Sequence, residues 1–207
     1  IKNCPDVRKR IIKDCSNEPK NLEILVAENF EEDDHGKVTN FFKNHLNANK
    51  NNTAIICNSK KQLEFLTLKL HLEGLNIVSQ LTGSFGKVEE QFLHAKKPAT
   101  VLLTPYGWEN FKHNQEINTL FILKLPFEPP SSTKLIAKSM SSNDPFNEIQ
   151  VPEAIYRLEK LLNKLSSSED NPARAIILDQ RIINKSYGKA FIDSLKKIGN
   201  VIIGPCT

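Results

Sequence analysis

VLLTPYGWEN at 101–110, ILKLPFEPP at 122–130 and VPEAIYRLEKLLNKLSSSEDNPARAIILDQR at 151–181 are the stretches that decide the reading of this chain. The first is a buried-strand pattern ending in a Pro/Gly/Trp turn. The second is an apolar run closed by prolines. The third is a Pro-started helix, a polar loop and another apolar run ending in Asp179-x-Arg181. Ligands of open α/β sheets sit beyond the carboxyl ends of strands. The unusual residues of these blocks lie there.

Outward from this centre, apolar runs alternate with helical patterns. LEILVAE (22–28), TAIIC (53–57), NIVSQ (76–80), TVLLT (100–104), INTLFILKL (117–125), ARAIIL (173–178) and VIIG (201–204) read as strands. GKVTNFFKNHL (36–46), KKQLEFLTLKLHLEGL (60–75), the later part of 82–97, and 187–199 read as helices, with Gly74 and Gly199 as stops. Pro152 suits a helix start, and Ala154, Leu158, Leu161, Leu162 and Leu165 give that helix an apolar face. Acidic EEDD (31–34) ahead of the first helix suits its N-terminal dipole. About six or seven strands alternating with helices predict an α/β fold with a mostly parallel central sheet flanked by helices. Residues 1–20 read as a basic arm or linker and 21–207 as one domain. The Ser/Asn-rich segment 131–150 reads as a mobile insertion loop with a short helix at 133–140, and as a candidate surface for a protein partner.

Composition sets outer limits. The chain has 207 residues, 39% hydrophobic and 25% charged, and a net charge of +4. That is a globular chain able to bury an ordinary core, mildly basic and compatible with a polyanion. Cys4, Cys15, Cys57 and Cys206 form no C-x-x-C pair, so a reducing compartment, free thiols and no metal site are expected. No apolar run reaches the roughly 18–20 residues of a membrane span. The chain starts at Ile1 and reads as a fragment of a longer or processed protein. GSFGK (83–87) fails the phosphate-loop pattern, and no G-x-S-x-G or G-x-G-x-x-G is present. An unrelated small α/β enzyme is therefore disfavoured.

The order of blocks resembles the second, C-terminal RecA-like (P-loop NTPase-type) domain of DinG/XPD-type superfamily 2 DNA helicases, over roughly residues 36–196. L-P-F-x-P-P is intact as Leu125–Pro130. Pro152, Ala154, Arg157, Leu158, Ile177-Leu178-Asp179, Arg181, Tyr187-Gly188, Phe191 and Ser194-Leu195 fall in register with the next blocks. The S-F-W-E-G-V-D block reads Tyr106-Gly107-Trp108-Glu109-Asn110-Phe111-Lys112, and T-S-Y-x-x-L is echoed by Asn58-Ser59-Lys60 and Leu63.

The resemblance implies a domain that binds single-stranded DNA and closes over ATP and Mg held by a first RecA-like domain of the same longer chain. Asn58, Ser59, Lys60, Thr104 and Trp108 are the implied DNA contacts, with Trp108 a candidate to stack on a base, although a tryptophan here reads more readily as a core residue. Ser59 reads equally well as a helix cap. Glu109, Arg157, Lys160 and Lys164 are the implied nucleotide-facing residues. The motif Q-x-x-G-R-x-x-R is degenerate here: Lys160 replaces Gln, Asn163 Gly, Lys164 the first Arg and Ser167 the second. An arginine finger places a rigid charged fork on the transferring phosphate, and its loss costs about 10³–10⁵ in rate. Lys164 keeps a point charge only. The expectation is a helicase domain weakened or inactive in hydrolysis, or a non-catalytic pseudo-helicase interaction module. Whether the longer protein is an ATPase is left open. This chain alone is expected to bind no cofactor and hydrolyse no ATP. A cytoplasmic location, or a nuclear one in a eukaryote, is implied.

Overall fold

In a computed structural model, residues 22–30, 35–129, 131–140, 142–165 and 173–205 are described. The arm at 1–20, EEDD at 31–34 and Ser167 lie outside them. The strands are β1 (Leu22–Glu28), β2 (Thr53–Ile56), β3 (Ile77–Ser79), β4 (Thr100–Leu103), β5 (Thr119–Ile122), β6 (Ala173–Ile177) and β7 (Asn200–Pro205). The helices are α1 (His35–Ala48), α2 (Lys60–Leu72), α3 (Phe85–His94), α4 (Pro105–Asn110), α5 (Thr133–Ser139), α6 (Val151–Asn163), α7 (Arg181–Asn184) and α8 (Gly188–Leu195).

All seven strands join one sheet in the order β3-β4-β2-β5-β6-β1-β7, and every pairing is parallel. Strands buried on both faces need apolar side chains in either direction, and β2, β4 and β5 are buried throughout. Alternate residues feed two cores. Ile24, Ala54, Ile56, Val101, Leu103 and Leu120 pack beneath α3, α4, α6 and α8. Ile55, Cys57, Leu102, Phe121 and Ile176 pack beneath α1 and α2. Burial pushes the Cys57 thiol up to about 12, so it is inert as a nucleophile at neutral pH.

Helix ends explain most boundaries. Gly74 adopts φ +75° after α2, and Leu75 N–H reaches Leu70 C=O at 3.1 Å, the bond of a Schellman turn. Three expectations are corrected. The Pro105–Trp108 stretch is not a turn but the helix α4, because Thr104 caps it and Pro105 is preset for its first position. Gly199 is not a cap. The last helix ends at Leu195, and Gly199 lies against β1, where an added Cβ would fall 2.5 Å from Leu22 C=O. Residues 146–150, expected in a mobile loop, form a π-helical segment that runs into α6, and Phe146 stacks on Phe127 at 5.8 Å. No helix among the described residues is long and apolar enough to cross a membrane.

Candidate functional site

The segments leaving β2, β4, β5 and β6 meet at the carboxyl rim of the sheet. Asp179, just after β6, is wholly buried. A buried carboxylate is tolerable only when paired and hydrogen-bonded. Its Oδ2 accepts Leu125 N–H at 2.7 Å, and its Oδ1 accepts Arg181 N–H at 3.0 Å. The Arg181 guanidinium forks onto the same carboxylate, Nε to Oδ1 at 2.9 Å and Nη2 to Oδ2 at 2.6 Å. Arg181 then lies 5.4 Å over the Phe127 ring, which packs with Phe146, Tyr187 and Phe191. Gly188 completes the knot, since a Cβ there would sit 2.0 Å from Ile182 C=O. Leu125–Pro129, ILDQR and the following YG are thus one interlocked unit.

A second knot joins α4 to α6. Trp108 is fully buried, and its Nε1 donates to Leu161 C=O at 2.9 Å. Lys164, just past the end of α6, donates from Nζ to the carbonyls of Trp108 (2.7 Å), Glu109 (2.6 Å) and Phe111 (2.8 Å). An ammonium has three protons, and all three are engaged in closing the C-terminal end of α4. Burial draws the Lys164 pKa below the ordinary lysine value, against the pull of Glu109 and Glu89. Above this, Lys160 pairs with Glu109 at 2.7 Å on a largely solvated surface.

Between the knots lies a cleft of about 130 Å³, lined by Asn58, Pro105, Glu109, Phe127, Arg157 and Leu161 among others. Asn58 spans two strand ends: its amide NH₂ donates to Lys124 and Leu125 C=O, each at 3.1 Å, and its N–H to Gln62 Oε1. Its Oδ1 is the single buried side-chain polar atom without a partner among the described residues. An unpaired buried acceptor costs about 1–3 kcal/mol, so this atom suits a donor arriving from a ligand or a water. Arg157 is held by Glu128, by Glu153 at 3.7 Å and by Pro126 C=O at 3.5 Å.

The expected site residues therefore divide. Asn58, Glu109 and Arg157 line one cleft, with Lys160 at its edge through Glu109. Ser59 is the α2 cap, accepting Gln62 N–H at 3.2 Å, and Lys60 is exposed beside Glu64. Thr104 caps α4, accepting Gly107 N–H at 3.1 Å. Trp108 is corrected from DNA contact to core residue: no face of it is open to a base. Lys164, expected to face nucleotide, caps α4 with its three donors on carbonyls. Sequence reasoning missed Gln80, whose Oε1 accepts both the N–H (2.8 Å) and the hydroxyl (2.9 Å) of Thr104. Nothing local signals that contact. A larger cavity, about 770 Å³, opens at the opposite, amino-terminal edge, lined by Phe41, His45, Asn49, Asn118 and Arg174 among others. It gathers none of the motif residues, and the carboxyl rim is where open α/β sheets bind ligands. Among the described residues no group of three or more His, Cys, Asp or Glu is placed to hold a metal.

Comparison with known proteins bears on the fold and the family. Residues 11–198 match the family described as helicase C-terminal domain. The chain is 32% identical over 160 residues to the ATP-dependent DNA helicase YoaA of Haemophilus influenzae, covering 72% of this chain and 24% of that protein. It is 40% identical over 90 residues to the ATP-dependent DNA helicase DinG of Photobacterium profundum, covering 42% and 13%. The chain thus spans about a quarter or less of the length of these curated relatives. Among solved structures, S. tokodaii Xpd4 superposes with a TM-score of 0.63 at 14% identity, over 90% of this chain and 39% of that one, which establishes the shared fold.

Proposed function

The chain belongs to the helicase C-terminal domain family, as in the DinG- and YoaA-like DNA helicases, and from that premise we propose that it is the half of a helicase motor that grips single-stranded DNA with little power to drive hydrolysis. In this reading the rim around Asn58, Ser59, Lys60 and Thr104 follows the sugar-phosphate chain. The cleft beside Glu109, Arg157 and Lys160 closes over ATP and Mg carried by a first RecA-like domain of a longer protein. The location is the cytoplasm, as suits kinship with bacterial DNA helicases.

One observation carries the weakened chemistry: the Lys164 ammonium, at the position where the resemblance puts the first arginine of the motif, is bound by three α4 carbonyls. A cation so engaged has no proton left for a phosphate oxygen. The substitution of Ser167 for the second arginine points the same way. The same observation favours a second reading, a non-catalytic pseudo-helicase module that binds nucleic acid or protein.

The test is DNA-stimulated ATP turnover by the longer protein, with Lys164→Ala alongside. Turnover near background that Lys164→Ala leaves unchanged is expected. Robust turnover that collapses in Lys164→Ala overturns the weakened-motor reading. Single-strand affinity is expected to be about micromolar or weaker and to fall as salt rises. Binding that is flat in salt argues against a phosphate-dominated contact.

A further inference from the structure

Trp108 is closed to a base, but the same rim presents another aromatic side chain. Tyr106, on the first turn of α4, is 66% exposed. Its ring lies 5.7 Å from that of Phe85, centroid to centroid, at an interplanar angle of 58°. Phe85 opens α3 and is partly buried. β3 and β4 are neighbours in the sheet, so the helices that follow them start side by side at its carboxyl edge.

The pair is held in place. Gln80, just past the end of β3, accepts both donors of Thr104 at the start of α4, which ties the segment leading into α3 to that helix start. Gly107 makes this approach possible, because a Cβ there would fall 2.2 Å from Gln80 Oε1. Exposed lysines stand at the neighbouring helix starts: Lys87 on the first turn of α3, and Lys60 and Lys61 opening α2 after β2, the strand on the other side of β4. A solvent-facing ring on a rim that carries cations matches a ligand that is both aromatic and anionic, with its aromatic faces unstacked. Single-stranded nucleic acid has that chemistry, whereas a duplex hides its base faces. The resemblance puts a serine at position 106, so the tyrosine is a feature of this chain and not of the family pattern.

We propose that Tyr106, backed by Phe85, is a stacking platform for one base of a single-stranded nucleic acid at the carboxyl rim. The proposal rests on the DNA-binding reading above and adds the residue that meets a base.

Fluorescence anisotropy tests it, using a labelled oligothymidylate and an abasic strand of equal length at low salt. Tyr106→Ala is expected to weaken oligothymidylate binding about ten-fold, while Tyr106→Phe keeps it. The abasic strand is expected to bind wild type and Tyr106→Ala alike, because it offers no face to stack. Tyr106 is exposed, so thermal melts of the variants should match wild type. Undiminished oligothymidylate binding by Tyr106→Ala overturns the platform and leaves the DNA-binding reading standing. Equal loss on both strands also overturns it, since the side chain would then be serving the backbone. If wild type binds neither strand, the DNA-binding reading falls and the platform with it.

Discussion

The Asp179 knot and the Lys164 knot use the same device in two settings. Each sets one charged side chain against backbone groups from another part of the chain. Asp179 is sealed inside the molecule and is matched by an arginine and by the N–H of a neighbouring strand's exit loop. Lys164 sits at the edge of the cleft, only partly buried, and is matched by carbonyl dipoles, with no carboxylate in direct contact among the described residues. The first charge has no competing role, because it faces no open space. The second stands where the resemblance expects a phosphate-facing cation, and its three protons lie on α4 carbonyls. A charge at the edge of a site can be diverted into scaffold, whereas one sealed in the scaffold cannot be diverted outward.

The strongest test of this contrast removes the sealed charge. Asp179→Ala removes the carboxylate that the Arg181 guanidinium forks onto and leaves the Leu125 N–H without its acceptor, while freeing the loop that carries Phe127. Arg181, 38% exposed, can be hydrated. The cost therefore lies in the hydrogen bonds lost from the sealed carboxylate, about 1.5–3 kcal/mol each, and in the unmatched Leu125 N–H, about 1–3, which together come to roughly 3–5 kcal/mol. A urea titration is expected to show a loss of that size, with the β5 and β6 exit loops loosened together. A loss under about 1 kcal/mol would mean that the aromatic cluster, and not the carboxylate, holds the rim.

Lys164→Met asks the same of the exposed-edge charge. The aliphatic stem remains and three hydrogen bonds to α4 disappear, some of whose carbonyls water can reach. The expected loss is about 1–3 kcal/mol, smaller than for Asp179→Ala in the same titration. Lys164→Arg is expected to recover only part of it, because a planar fork cannot converge on three carbonyls as a rotatable ammonium does. If the two knots cost the same, the distinction between sealed and edge charge fails.

The knots also differ in how far the sequence announces them. LPFEPP, ILDQR and YG are legible because each is local: an apolar run, then residues that cannot continue it. The parallel sheet follows from the same alternation, and all seven expected strands form. Lys164 is not legible, since its carbonyl partners lie 53 to 56 residues away and bonds to backbone leave no side-chain signature. Trp108 was ambiguous for a related reason. An aromatic beside a proline and a glycine reads as a rim residue until the cap on Thr104 turns the stretch into a helix whose inner face holds it. Tyr106, two residues earlier, is carried outward by the same helical turn.

The smallest effect falls on the pair that joins the knots' surroundings to solvent, Lys160 and Glu109. Their side chains are 51% and 34% exposed, and the contact is 2.7 Å. Exposed pairs are worth about 0–1 kcal/mol after screening and the entropy of holding two long side chains together. A double-mutant cycle with Lys160→Ala and Glu109→Ala is expected to give a coupling within that range, vanishing as salt is raised. Glu109 also presents its backbone carbonyl to Lys164, and that contact survives when the side chain is truncated. The Lys160–Glu109 coupling should therefore persist in Lys164→Met if α4 keeps its place through Trp108 and its bond to Leu161. Should the coupling disappear in that background, the ammonium under α4 sets the helix position and the surface pair merely reports it.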